Sequence, residues 1–201
     1  MPASRRPLLA VAAIGALLTV GAWSAFPAGA VGGPAVADGV FDVPGTATSA
    51  VTYDVAQVPV GAEVTVRAVR TGSHKTVLTL HARGLLPNET YGAHAHYRPC
   101  GLTGAAAGAH YENVPDPAVG GSETVSSTDP AYANPSNEAW LDLETNAAGN
   151  GRAQTVVDWT FRPTTDGAPR SVILHLNTTS TGGTPPAGNA GARLACVSIS
   201  L

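Results

Sequence analysis

The sequence predicts an all-β domain, a sandwich or barrel of eight short strands. Three observations carry this expectation. Segments in which apolar and polar residues alternate recur along the chain. Its 201 residues include 23 glycines and 16 prolines, which mark many turns. Past the N-terminus, no run keeps the three-to-four-residue apolar spacing of a helix. A chain of this length can bury a good core as one domain.

The first 30 residues read as an export signal. Arg5 and Arg6 form a basic start, an apolar run extends from Leu8 to Phe26, and Pro27-Ala-Gly-Ala30 supplies the small residues of a cleavage site. The alternative is an uncleaved anchor, because the run is about as long as a bilayer is thick. Residues 31–48, rich in Gly, Ala and Pro, read as a flexible linker, and residues 49–201 as the domain. The expected strands are Val51–Val58, Glu63–Val69, Thr76–Arg83, Thr90–His96, Trp140–Glu144, Gln154–Phe161, Ser171–Leu176 and Arg193–Ile199. Turn signals separate them, notably Pro59-Val-Gly61, Leu85-Leu-Pro-Asn-Glu89 and Asn146-Ala-Ala-Gly-Asn-Gly151. One connection breaks the rhythm. From Cys100 to about Asn137 no strand signal appears, and a loop that long in a compact domain is functional or disordered.

Export implies an oxidising compartment, where a disulfide persists. The chain has two cysteines, so Cys100 and Cys196 are each other's candidates. The alternative is a pair of free thiols or copper ligands. A net charge of −3 and the lack of any basic run argue against a nucleic-acid partner.

The histidines carry the chemistry. In Gly92-Ala-His-Ala-His-Tyr97, His94 and His96 fall one residue apart on an expected strand, so they share one face. Two imidazoles so placed can hold one metal ion, although the same spacing also occurs on ordinary polar strand faces. His110 sits in Gly108-Ala-His-Tyr-Glu112 on the long loop. His175 sits in the apolar strand Ser171–Leu176, where a lone histidine is more often a hydrogen-bonded core residue. Together the four point to a metal site.

This set resembles the copper-zinc superoxide dismutases. The His-Ala-His pair resembles the family's paired copper ligands, and GAHYENVPDP its histidine loop. VILHL resembles its fourth-histidine strand, and Gly188-Asn-Ala-Gly-Ala-Arg-Leu-Ala-Cys196 its segment carrying an active-site arginine and the second cysteine. The resemblance runs in order from about residue 50 to 201. It implies an eight-stranded Greek-key β-barrel or sandwich, immunoglobulin-like and of superoxide dismutase type, with a long loop tethered by the Cys100–Cys196 disulfide. It also implies His94, His96, His110 and His175 as copper ligands and superoxide anion as the substrate. Arg193 becomes the side chain that guides the anion, where without that context it reads as a surface salt-bridge partner.

Two departures modify the expectation. The family's zinc site needs two further histidines and an aspartate near the His110 position, and no histidine lies between His110 and His175. Copper alone is therefore expected, with zinc absent. Glu138 is the expected acceptor that orients His110, with Asp142 and Glu112 in reserve, although an exposed carboxylate at a strand start is the ordinary alternative. Asn177–Ala187 is also short and uncharged, which implies a more open site. His74 and His81 read as structural or surface residues. The reading is an exported or cell-envelope superoxide dismutase, a monomer or weak dimer, with His110, Glu138 and Arg193 in the catalytic work. Its rivals are a copper-buffering module on the same barrel and a purely structural β-sandwich.

Overall fold

The computed structural model describes residues 33–47, 49–120, 123–162 and 169–201. The expected export signal over residues 1–30 lies outside them. Among the described residues, nine strands form two antiparallel sheets: β1 (Ala35–Val40), β2 (Ala50–Thr52), β3 (Glu63–Thr71), β4 (Lys75–Arg83), β5 (Thr90–His96), β6 (Leu143–Glu144), β7 (Gly151–Val157), β8 (Ser171–His175) and β9 (Arg193–Ser198). One sheet runs β1-β3-β4-β7 and the other β2-β9-β8-β5-β6. The chain passes repeatedly between the sheets, and the fold is a Greek-key sandwich, as the sequence predicts. Among the described residues the only helical pieces are two short 3-10 turns, Gly104–Ala107 and Pro117–Val119, and no helix is long and apolar enough to cross a membrane.

Alternation builds the core. In β3 and β4 the buried positions are Val64, Val66, Ala68, Thr76, Leu78, Leu80 and Ala82, every second residue. Val66 lies opposite Leu80, and Val64 opposite Ala82, so the two strands present one apolar face. Against it pack Tyr91, Val172, Leu174 and Val197 from the other sheet. That second sheet is also buried on its outer face. In β5 every residue from Tyr91 to His96 is buried. Tyr91, Ala93 and Ala95 join the main core, while His94 and His96 point the opposite way, under the long loop.

Three sequence expectations change. Residues 31–48 are not simply a linker, because Ala35–Val40 forms β1 and pairs with β3 from Ala35 opposite Ala68 to Val40 opposite Glu63. Its small Ala residues hide the alternation, yet Ala35 and Ala37 pack against the core. The expected strand Val51–Val58 stops at Thr52, because Asp54 folds the chain. Its carboxylate accepts from the Ala56 and Gln57 amides, and its carbonyl from Val58. The expected Trp140–Glu144 strand is regular only at Leu143–Glu144, with Trp140 joined to β5 by an isolated bridge to His94.

Cys100 and Cys196 form the disulfide, closing a span of 96 positions and fixing the start of the long loop to β9. Around it sit Ala107, Ile173 and Tyr53, a second small apolar cluster on the outer face. Removing the bridge by Cys100→Ala with Cys196→Ala is expected to cost about 2–5 kcal/mol. Urea unfolding checks this, and an unshifted midpoint would contradict it.

Candidate metal centre

The four histidines expected from sequence converge on the outer face of β5 and β8. His94 and His96 come from β5 and His175 from the end of β8, whose Cα pairs with Gly92. Gly92 has a local reason. A Cβ there would run into the Asn177 carbonyl and Ala190, so only glycine lets the β8–β9 connection lie over the strand. His110 arrives with the loop, which pairs along the edge of β5. Tyr97 N–H donates to the Ala109 carbonyl, Tyr111 N–H to the Ala95 carbonyl, and His110 bridges His96.

The rings form one dry group. His94 and His96 are 0% exposed, His175 3% and His110 5%. One ligand atom from each lies within 4.8 Å of the others, a group that could hold a metal ion. The His94 and His110 ring centroids are 4.1 Å apart, and those of His94 and His175 4.8 Å. The short, uncharged 177–187 segment, expected to leave a more open site, reaches the cluster through Thr179, whose hydroxyl meets His94. Just beyond it, Gly188 is seated against His110.

Each ring has one nitrogen held from outside. His96 Nδ1 lies 3.1 Å from the Gly108 carbonyl, and His175 Nδ1 3.3 Å from the Gly191 carbonyl. Gly108 follows a 3-10 turn with φ of 73°, a left-handed conformation that suits glycine and aims its carbonyl at the site. His110 Nδ1 lies 3.0 Å from Glu138 Oε2. His94 Nε2 lies 2.6 Å from Thr179 Oγ1. The remaining nitrogens turn inward. Three are Nε2, those of His96 and His175 lying 3.4 Å apart. The fourth, His94 Nδ1, is buried with no hydrogen-bond partner. An unpartnered buried nitrogen is costly unless something occupies its lone pair. Four imidazoles, with no thiolate or carboxylate among them, form a donor set that fits copper in both oxidation states.

Glu138 sits where the sequence placed it, 1% exposed and against His110. Trp140 Nε1–H also donates to its Oε2 at 2.6 Å. The reserve carboxylates serve elsewhere. Glu112 accepts the Asp116 and Ser127 amides within the loop, and Asp142 binds Ala93 and Thr179. Arg193 Nη1–H donates to the Gly104 carbonyl at 2.9 Å. Burial lowers the Arg193 pKa from its ordinary value. Its positive charge contributes to holding His94, His96 and His175 neutral. His74 and His81 are exposed and apart from the group. Sequence reasoning missed Thr179 and Trp140. Trp140 had a signal, lying two residues from Glu138 and so on its face of an extended segment. Thr179, in a run of Thr, Ser and Gly, had none.

Burial is the main force on the ring protons. It pushes His94 and His96 well below the usual histidine value and His175 down to about 3, with neighbouring imidazoles adding to it. The folded chain therefore keeps these rings neutral, while the unfolded chain protonates them below about pH 6.5. Stability is complete above that value and is lost as pH falls toward about 3, by up to about 1.4 kcal/mol per pH unit for each ring. Urea midpoints of the metal-free protein should fall between about pH 7 and pH 5. A flat profile there would contradict the buried, neutral cluster.

No family model and no curated protein sequence matches the chain. Among solved structures, it is similar to a Cu/Zn superoxide dismutase from Brucella abortus at 22% identity and a TM-score of 0.50, covering 76% of this chain and 99% of that one. It is also similar to the clock protein EA4 at 18% identity and a TM-score of 0.50, covering 69% of this chain and 87% of that one. These similarities show a shared fold, on which this chain places a buried four-histidine cluster and one disulfide.

Proposed function

We propose that the chain is an exported, copper-dependent superoxide dismutase that carries the four-histidine copper site and no zinc. One observation carries the reading. Four buried imidazoles each have one nitrogen fixed from outside and the other turned into a common group, where His94 Nδ1 has no protein partner. The likeness of fold to a Cu/Zn superoxide dismutase supports it. The nitrogen of His110 that would face a second metal is engaged by Glu138, which supports a site for copper alone.

The reaction consumes two superoxide anions and two protons and yields one dioxygen and one hydrogen peroxide. Copper bound at the site would supply the one-electron chemistry. The chain's residues do the rest. Arg193, anchored by the Gly104 carbonyl, places a positive charge beside the histidines, and fixed charge raises the local concentration of a small anion. Rings no more than 5% exposed restrict the site to a small reactant. His110 is the most exposed of the four, and we assign its Nε2 to proton delivery. Glu138, fixed by Trp140, stabilises the charged ring through Nδ1–H. The disulfide and the export signal over residues 1–30 together favour an oxidising compartment outside the cytoplasm. In that reading the mature domain begins near β1 and acts as a monomer or weak dimer.

Metal analysis of the purified protein should find one copper and no zinc per chain, and stoichiometric zinc would overturn the copper-only reading. Copper-loaded protein should speed superoxide decay, and Arg193→Ala should lower the rate by about tenfold or more. Copper binding with no acceleration of decay would instead identify a copper-buffering module.

A further inference from the structure

Three of the four histidines rest their outer nitrogen on a carbonyl or a carboxylate. His94 does not. Its Nε2 meets the Thr179 hydroxyl, and that hydroxyl lies 2.6 Å from Asp142 Oδ1. Asp142 is a committed acceptor. It takes the Ala93 N–H at 3.0 Å, the Thr179 N–H at 2.6 Å and the Thr179 hydroxyl. A carboxylate only accepts, and a threonine hydroxyl has a single proton to give. The hydroxyl therefore donates to Asp142 and offers a lone pair to His94. His94 Nε2 must then carry the ring hydrogen, which leaves Nδ1 bare. Nδ1 is the buried atom with no partner.

We propose that Thr179 is a positioning residue, which relays a hydrogen bond from His94 to Asp142 and so fixes His94 as the one histidine that presents Nδ1 to the cluster. As a contribution to metal binding, this rests on the copper-site reading above. The relay is well supported at both ends. Asp142 is tied to the backbone of β5 through Ala93, next to His94 itself. Thr179 lies in the turn between β8 and β9, which is closed by bonds from Leu176 N–H to Ala192, Asn177 N–H to Ala190, Ser180 N–H to Asn189 and Gly188 N–H to Ser180. The same turn supplies the Gly191 carbonyl to His175. The turn thus sets two ligands at once, His94 through a side chain and His175 through the backbone. A hydroxyl at position 179 is the one feature of the turn that decides which nitrogen His94 offers.

The test compares wild type with Thr179→Val, Thr179→Ser and, should valine disturb folding, Thr179→Ala. In the metal-free proteins, imidazole nitrogen NMR reads the His94 tautomer. Wild type and Thr179→Ser should hold the hydrogen on Nε2, and Thr179→Val or Thr179→Ala should show a mixture. In the second arm, Cu(II) affinity should fall by about 10–100-fold in Thr179→Val and recover in Thr179→Ser, with a matching change and recovery in the Cu(II) electron paramagnetic resonance spectrum. An unchanged His94 tautomer in both Thr179→Val and Thr179→Ala would overturn the proposal. A wild type that takes up no copper, with the tautomer shift still seen in Thr179→Val or Thr179→Ala, would sink the copper reading and leave the relay standing.

Discussion

Strand β5 carries buried side chains on both faces, and the site depends on that arrangement. A strand can be dry on two sides only if each side has its own cover. The core face is covered by the opposing sheet, against which Tyr91, Ala93 and Ala95 pack. The outer face has no sheet above it. Its cover is the loop after Cys100 and the turn between β8 and β9, and both must close before His94 and His96 leave water. The disulfide anchors the first of these covers. Gly92 lets the second lie flat.

Burying four imidazoles demands an acceptor for each outer N–H, since an unsatisfied buried donor costs on the order of 1–3 kcal/mol. The fold supplies them from four separate places: Gly108 after a 3-10 turn, Glu138 where the loop returns, Gly191 before β9, and Thr179 backed by Asp142. No acceptor lies on the same strand as the histidine it serves. Ring orientation is therefore a property of the assembled tertiary structure, and the group of inward nitrogens exists only once the covers are seated.

Much of this was legible in the sequence. A period of two places His94 and His96 on one face whatever the fold around them, and the alternation of β3 and β4 reads directly as core and surface. The resemblance at VILHL and GNAGARLAC pointed to His175, which joins the histidine cluster, and to Cys196, which forms the disulfide. Glu138 could be named because few carboxylates stand near the loop's return. What stayed hidden was hidden for physical reasons. β1 is a strand through its pairing with β3, since Ala and Gly give little alternation of their own. The turn at Asp54 overrides an alternating run because one carboxylate collects two amides. Thr179 meets His94 across 85 positions, in a segment whose composition reads only as flexible.

The pairing that delivers His110 has a second consequence. Along its outer edge β5 is joined in turn by Leu143–Glu144, by Ala139–Leu141 and by Ala109–Tyr111. An uncovered sheet edge is a template on which another chain can add a strand. Here the backbone bonds that carry the fourth histidine into place also cap that template. Completing the site and guarding against self-association are thus a single closing event. A chain whose loop fails to seat would expose an incomplete ligand set and an adhesive edge at the same moment.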